Sequence, residues 1–303
     1  MNKLLLIINP VSGNKNYQKI LPDIQNIFKK KFQLIETIQS EHKGHIEEIV
    51  KKYNYDAIDF ICLIGGDGTF HEAINGMMSR TDNNKIPLGL IPCGSGNSLC
   101  RDLNLLNPLK AAKNISKQNK MSIDILKITD YNKNIIYSFN IVGWGMVANI
   151  GIKAEKYRWL GTSRYTLLSL AEIIFKKTYF ANIIYFDKNN NKITDKDKKE
   201  LMFIMIANTV HTGKGMKIAP NAKLNDGLVD MLLIQNVSRA RLFKLMPKLF
   251  SGEHIKDHNV IYKQVKEIIF NSENKSKLNI DGEIKGISPF KLEIIPKALE
   301  IFS

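Results

Sequence analysis

The first hundred residues alternate short apolar runs with amphipathic stretches, and that alternation restricts the fold more than any other feature of the chain. Residues 4–8 form an unbroken apolar run closed by Asn9-Pro10, and residues 32–35, 60–64 and 86–91 form further runs. Runs apolar on both faces read as strands buried in a parallel sheet. Between them Ile20, Ile24, Ile27 and Phe28, then Ile46, Ile49 and Val50, recur at helical spacing, and Phe70, Ala73, Ile74, Met77 and Met78 follow i, i+3, i+4, i+7, i+8. The pattern predicts an α/β N-terminal domain, a parallel sheet covered by helices. Past Met121 the texture changes to short strand-like runs at 122–128, 135–142, 181–186, 201–207, 228–234, 265–270 and 278–280, which predicts a mainly β C-terminal domain. A length of 303 residues suits two domains, at roughly 150 residues each. The expected division is 1–121 and 122–303, with the last residues able to return to the first domain.

Two helices are expected in the second half. Residues 165–175 are apolar nearly all round, which predicts a helix that is buried or lines an apolar pocket. Residues 239–250 set Arg241, Lys244 and Lys248 on one side and Leu242, Leu245 and Leu249 on another, and Pro247 should kink or end that helix. Residues 187–200 read as a polar, hairpin-like loop.

Several classes of protein are disfavoured. No run approaches the 18 or more apolar residues of a membrane-spanning helix, and the N-terminal apolar stretch is too short for a signal peptide. Cys62, Cys93 and Cys100 are too few for a disulfide framework. His254 and His258 stand four apart but lack a third metal ligand. Lys and Arg total 44 against 29 Asp and Glu, a net charge of +15 that favours an anionic partner: a nucleotide, nucleic acid or an acidic membrane. No nucleic-acid module or basic aromatic array is present. A cytoplasmic protein in peripheral contact with an anionic membrane surface is expected, drawn there by Arg241, Lys244 and Lys248, and a homodimer is compatible with the chain.

The chemistry concentrates in three turns at expected strand ends: Asn9-Pro10-Val11-Ser12-Gly13, Gly65-Gly66-Asp67-Gly68-Thr69, and Gly94-Ser95-Gly96-Asn97 after Pro92-Cys93. In an open α/β sheet, ligands bind outside the carboxyl ends of the strands. Glycines let the backbone approach a phosphate, and a following helix aims N–H groups at it. Asp67 inside such a turn repels a phosphate unless it takes a proton, holds magnesium or orients a donor; the alternative is an Asx-turn residue stabilising its own loop. No Walker A pattern is present. Gly143-Trp144-Gly145-Met146-Val147-Ala148 fits G-x-G-x-x-A but lies in the β-rich half, where it reads as close packing or substrate contact.

These residues resemble the diacylglycerol-kinase-type lipid kinases, which share a nucleotide domain with NAD kinases and 6-phosphofructokinases. The resemblance covers nearly the whole chain: the Asn9-Pro10 turn, Ser40-Glu41 with Gly44-His45, the GGDGT run and Pro92 to Asn97. Later blocks resemble the sphingosine-kinase and ceramide-kinase branch: Glu155 to Gly161, Arg164-Tyr165, Ala219-Pro220-Asn221-Ala222, Asp226-Gly227-Leu228, Ser238-Arg239-Ala240 and Asp281-Gly282-Glu283. The resemblance implies ATP-dependent, magnesium-assisted phosphorylation of a lipid hydroxyl in a cleft between the domains. It assigns Asn9, Pro10, Ser12, Gly13, Ser40, Gly65, Gly66, Asp67, Gly68, Thr69, Glu72, Ser95, Gly96 and Asn97 to the nucleotide, with Ser40 where the family usually has Thr. Arg158 and Arg164 would bring positive charge to the phosphates. Asp67 would be the general base, with Asp281 and Glu283 as lesser candidates. Asp226 and the carbonyls of Lys223 and Leu228 would hold a structural magnesium.

One departure bears on the substrate. Where sphingosine kinases carry acids that recognise an ammonium group, this chain has Asn149 and Gly151. That implies a neutral lipid of the ceramide or diacylglycerol kind, although the cysteine cluster of ceramide kinases is also missing. The rival readings are an NAD kinase and a catalytically inactive lipid- or nucleotide-binding regulator.

Overall fold

The computed structural model describes residues 2–15, 17–157, 163–194 and 197–303. Two compact units emerge: one reaches to Ile125 and includes Gly213–Gly215 and Pro296–Ser303, the other comprises Leu126–Thr212 and Met216–Ile295.

The first unit runs β1 (Asn2–Ile8), α1 (Tyr17–Lys29), β2 (Phe32–Gln39), α2 (His45–Lys52), β3 (Phe60–Gly65), α3 (Asp67–Met78), β4 (Leu88–Pro92), α4 (Ser98–Asp102) and α5 (Pro108–Ile115), and the chain leaves it through β5 (Lys120–Thr129). The strands β2-β1-β3-β4 lie in that order and are all parallel. Leu4 to Ile8 and Ile61 to Ile64 are wholly buried, as runs with no polar side require. Helix α5 starts at a cap in which Asn107 accepts from Lys110 N–H at 2.9 Å, with Pro108 in its first turn. It packs so closely that a Cβ on Gly89 would stand 2.8 Å from Ile115. The last residues of the chain pair with β4 through Ile301 and Leu88. Lys297 N–H donates to the buried Asp124 carboxylate at 2.7 Å, and the Phe302 ring meets Phe60 edge-on at 5.0 Å.

The second unit comprises β6 (Ile135–Ser138), β7 (Ile141–Gly145), α6 (Met146–Lys156), α7 (Ser163–Ile174), β8 (Tyr179–Asp187), β9 (Lys192–Thr194), β10 (Lys199–Ala207), β11 (His211–Thr212), β12 (Met216–Lys217), β13 (Val229–Gln235), α8 (Arg239–Ser251), β14 (Val260–Ser272), β15 (Lys277–Ile280) and β16 (Glu283–Ile287); β17 (Phe290–Phe302) begins here. Its strands are antiparallel in the order β16-β15-β7-β10-β13-β14, and β8 pairs with β14 and β10. Alternation along β13 feeds two cores. Val229, Met231 and Leu233 join Trp144, Ile183 and Phe270 between sheet layers, whereas Leu232 and Ile234 face Leu242 and Leu245 of α8.

Three local expectations are corrected. The run 135–142 is two strands, because Phe139 and Asn140 form a turn clasped by Asp281. The stretch after Trp144-Gly145, read from its glycines as close packing or substrate contact, forms the helix α6. Helix α7 is not buried along its length: Tyr165, Leu167 and Ile174 are exposed, and Ile173, the one fully buried large apolar side chain among its described residues, lines an apolar cavity, the other arrangement expected of this helix. Pro247 does not end α8, which continues to Ser251 and stops at Gly252, a left-handed C-cap with φ 82 whose N–H returns to Lys248.

Candidate functional site

Because β1, β2, β3 and β4 are parallel, the turns that follow them gather on one edge of the sheet. Backbone bonds tie the edge together: Ser40 N–H to Ile8 O at 2.9 Å, Asn9 N–H to Ile64 O at 3.0 Å, and Cys93 N–H to Gly65 O at 2.7 Å. The chain passes from β1 outward to β2 and then returns across to β3, so the crevice of an open sheet falls between β1 and β3. At that point Asn9 Nδ2 donates to Thr69 Oγ1 at 2.9 Å, while Asn9 Oδ1 accepts from Val11 N–H at 3.2 Å.

The glycines mark close backbone approach. Gly13 has φ +56, and a Cβ there would meet Cys93 O at 1.7 Å; a Cβ on Gly66 would lie 2.8 Å from Gly94 Cα. Asn97, itself left-handed at φ 56, folds its turn by accepting from Gly94 N–H at 3.0 Å and donating to Gly94 O at 2.7 Å. Ser95 is exposed at the tip of that turn. The sequence-nominated residues of this edge are therefore together. Ala in place of Gly13 is expected to destabilise the first unit by at least about 1–2 kcal/mol, the cost of a left-handed L-residue alone, because its Cβ would also overlap Cys93 O. Urea unfolding checks this.

Asp67 opens α3 and is half-buried. Its Oδ1 accepts from Ser98 N–H at 2.7 Å and its Oδ2 from Ser98 Oγ at 3.1 Å, so the carboxylate is fixed against the third turn. A Cβ on Gly96 would touch Oδ2 at 2.7 Å, which keeps that oxygen beside bare backbone. The first turn of α3 points N–H groups the same way and favours anionic charge. Glu72 behaves differently: its carboxylate accepts from Gly44 N–H at 2.9 Å and Ile46 N–H at 3.2 Å, holding the start of α2. Ser40 is buried at the end of β2.

Sequence reasoning missed one element of this edge. β11 and β12 form a hairpin whose tip, Gly213-Lys214-Gly215, belongs to the first unit. Gly213 O lies 3.3 Å from where a Cβ on Gly96 would be, and a Cβ on Gly215 would contact the Arg101 guanidinium at 3.4 Å. Both glycines have positive φ, and the G-x-G spacing was the available signal.

The second unit holds the remaining nominated residues. Asp281, buried and left-handed at φ 54, accepts from Ser138 Oγ at 2.6 Å, Asn140 N–H and Ile141 N–H at 3.0 Å, and Phe139 N–H at 3.3 Å. Glu283 is half-buried at the start of β16. Asn149 and Gly151 lie on α6: Asn149 donates to Tyr179 OH at 2.9 Å, and Gly151 backs onto Asn279 and Ile284. Arg164 Nη2 donates to Tyr165 OH at 3.4 Å, its guanidinium 4.8 Å from the centre of that ring. Arg158 lies outside the described residues, as does the Trp159-Leu160-Gly161 part of its block. Gly143 and Gly145 allow close packing, since a Cβ on Gly145 would stand 2.4 Å from Met202 O. Arg241 is not free for a membrane: its guanidinium pairs with the buried Asp257 carboxylate. His254 is buried with Nε2 against Ile218 O at 3.0 Å, while His258 sits beside Arg241 and Asp257, so the two do not share a ligand geometry.

Asp226 is exposed on a turn at Gly227 (φ 73) and accepts from Leu228 N–H at 3.1 Å; Lys223 is exposed three residues before it. One solvent-facing carboxylate with nearby backbone carbonyls is a hard-oxygen donor set of the kind that suits a partly hydrated magnesium ion. Among the described residues no cluster of three His, Cys, Asp or Glu could hold a metal. Close by, burial is the main cause that pushes the Asp230 carboxyl up to about 6, with Asp226 adding a like charge, while the Tyr262 hydroxyl donates to it. A carboxyl protonated more readily when folded lends stability at low pH that fades as pH rises from about 4 to about 6. In Asp230→Asn that decline should vanish, which urea unfolding across this pH range measures.

An uncharged apolar cavity of about 60 Å³ lies in the second unit beneath α6, α7 and α8, lined by Met146, Ile173, Phe203, Leu242, Met246 and His254 among others. Burial pulls the His254 imidazole below its ordinary range, so the cavity wall is neutral.

A parallel nucleotide-type sheet with Gly-rich turns on one edge, followed by a β-rich unit with an apolar cavity, defines a two-domain kinase architecture. Residues 3–128 match the diacylglycerol kinase catalytic domain and residues 140–303 match the YegS C-terminal NAD kinase beta sandwich-like domain. The chain belongs to this family of lipid kinases. It is 26% identical to sphingosine kinase 1 of Arabidopsis thaliana over 93% of this chain and 68% of that protein. It is 27% identical to a diacylglycerol kinase of Bacillus subtilis, over 95% of this chain and 92% of that one. In fold it is similar to the crystal structure of a diacylglycerol kinase from Bacillus anthracis, with a TM-score of 0.80 at 23% identity, covering 99% of this chain and 96% of that one.

Proposed function

We propose that the protein transfers the γ-phosphoryl group of ATP to the hydroxyl of a neutral lipid of the diacylglycerol kind, with Asp67 as general base. The observation that carries this reading is the Asp67 carboxylate, fixed by Ser98 on the phosphate-type edge of the first unit. Phosphoryl transfer needs positioning and charge compensation more than covalent help. The turn at Gly66–Thr69, the Asn97 turn and Ser12 would bind the phosphates through backbone N–H and hydroxyl groups. The lipid oxygen attacks the γ-phosphorus, its proton passes to an Asp67 oxygen, and the bond to the β-phosphate oxygen breaks to release ADP. Arg158 and Arg164 are proposed to add positive charge at the phosphates. Magnesium, when bound, would neutralise phosphate charge, and a second, structural ion would suit Asp226 with the carbonyls of Lys223 and Leu228.

Asp281 is the weaker base candidate because four donors already engage its carboxylate. The substrate preference follows from Asn149 and Gly151, which supply no carboxylate for an ammonium head group. A kinase assay with diacylglycerol, ceramide and sphingosine side by side should favour an uncharged lipid. Strong preference for sphingosine would overturn the substrate assignment, and phosphorylation of NAD with no lipid would overturn the reaction.

A further inference from the structure

Thirteen large apolar side chains are exposed among the described residues, and eight of them fall within 157–180 or on α8. Ile174 (52% exposed) ends α7, Phe175 (70%) follows it, and Phe180 is the second residue of β8. Phe243 (42%) and Phe250 (56%) stand with the exposed Pro247 at i, i+4 and i+7 on α8, along one face of that helix. Arg239 Nε donates to Ile174 O at 2.8 Å, which joins the end of α7 to the start of α8. The exposed charges carried by α7, α8 and the link after α7 are basic, and the acids beside Phe180 are engaged, Glu200 by Thr178 and Asn236 and Glu273 by Lys198. Lys177, Arg239, Lys244 and Lys248 are exposed, whereas Glu172, the sole acid of the two helices, is buried and paired with Lys153. Glu253, just past α8, pairs with Lys256.

Helix α8 is therefore apolar on two sides. Leu242, Leu245 and Leu249 face the cavity and core, while Phe243 and Phe250 face outward between lysines. A soluble helix has no packing reason to expose two phenylalanines on such a ridge. Aromatic side chains rimmed by lysines are what a helix lying in the headgroup region of an anionic bilayer requires.

We propose that the outer face of α8, with Ile174 and Phe175 at the end of α7, is the surface on which this protein docks onto an anionic lipid bilayer. The basic rim attracts the headgroups, and the phenylalanines enter the acyl boundary. The apolar cavity lies under the same two helices, so docking brings the bilayer to the elements that wall it. This deepens the lipid-kinase reading by naming the membrane surface, but the docking itself needs no turnover.

The test is co-sedimentation with vesicles of equimolar phosphatidylglycerol and phosphatidylcholine, compared with phosphatidylcholine alone. The unaltered protein should bind the anionic vesicles more tightly, and added salt should weaken that binding. Lys244→Gln with Lys248→Gln should lower the affinity about 30-fold, since each basic side chain at such a surface is worth about 1 kcal/mol. Phe243→Ser with Phe250→Ser should lose binding that low salt does not restore. Circular dichroism and melting temperature monitor folding of both variants, and ATP binding monitors the first unit independently. Folded variants that bind the anionic vesicles as well as the unaltered protein would overturn the proposal. So would a change from dimer to monomer in the phenylalanine variant with vesicle binding intact, which would assign the face to a second copy of the chain. Vesicle binding that follows the prediction in a protein without kinase activity would leave docking standing and remove the catalytic reading.

Discussion

Replacing Asp67 with Asn should lower turnover about 1,000-fold, within the range that a positioned general base contributes, while leaving ATP affinity and melting temperature nearly unchanged. The geometry makes this substitution a clean one. Asn retains an oxygen to accept Ser98 N–H, and Ser98 Oγ can turn to accept from the new amide, so the contact between α3 and the third turn persists. What disappears is the oxygen proposed to take the proton. Steady-state kinetics with saturating ATP, together with thermal unfolding, measure both halves of the expectation. A variant with near-normal turnover would remove Asp67 from the chemistry.

The second large effect concerns stability. Asp281→Ala should cost about 4 kcal/mol, because it leaves three backbone N–H groups and one hydroxyl without their acceptor in a buried turn. The position also has φ 54, which Asp tolerates better than Ala. Asp281→Asn keeps one accepting oxygen and should lose roughly half as much. Urea unfolding reports the stability. Turnover supplies an independent readout: folded Asp281→Asn should remain within about tenfold of the unaltered enzyme, well short of the loss from removing a general base. A loss as deep as that of Asp67→Asn would transfer the base role to Asp281.

The contrast between these two carboxylates shows what the sequence could and could not reveal. Asp67 is legible because its neighbours are local: an apolar run, two glycines, the acid and a helical periodicity lie within about one strand and one helix. The partners of Asp281 lie about 140 residues away in sequence, and no local pattern announces them. The same applies to the hairpin tip at Gly213–Gly215, which meets Gly96 and Arg101 only through tertiary contact. Strands β1 and β3 are readable because burial on both faces permits nothing polar. β16 and β17 escape notice because Gly286 and Pro296 interrupt them and many of their side chains are half-buried, so no clean alternation survives. Helix α6 hides behind Gly145, Gly151 and β-branched residues. Gly151 is retained there because a Cβ would press on Asn279 and Ile284. On α7, composition alone suggested burial or the lining of an apolar pocket; Ile173 lines the cavity, while Tyr165, Leu167 and Ile174 are exposed, and periodicity did not separate the two faces.

The proposed activity requires the carboxyl edge of the first sheet to hold the triphosphate next to Asp67. A crystal structure of the protein with magnesium and a non-hydrolysable ATP analogue tests this directly. The expected result places the β- and γ-phosphates within hydrogen-bond distance of the Gly66–Thr69 backbone and the Asn97 turn, with an Asp67 oxygen facing the γ-phosphorus. Phosphates bound away from those turns, or an Asp67 carboxylate turned from the γ-phosphate, would contradict it.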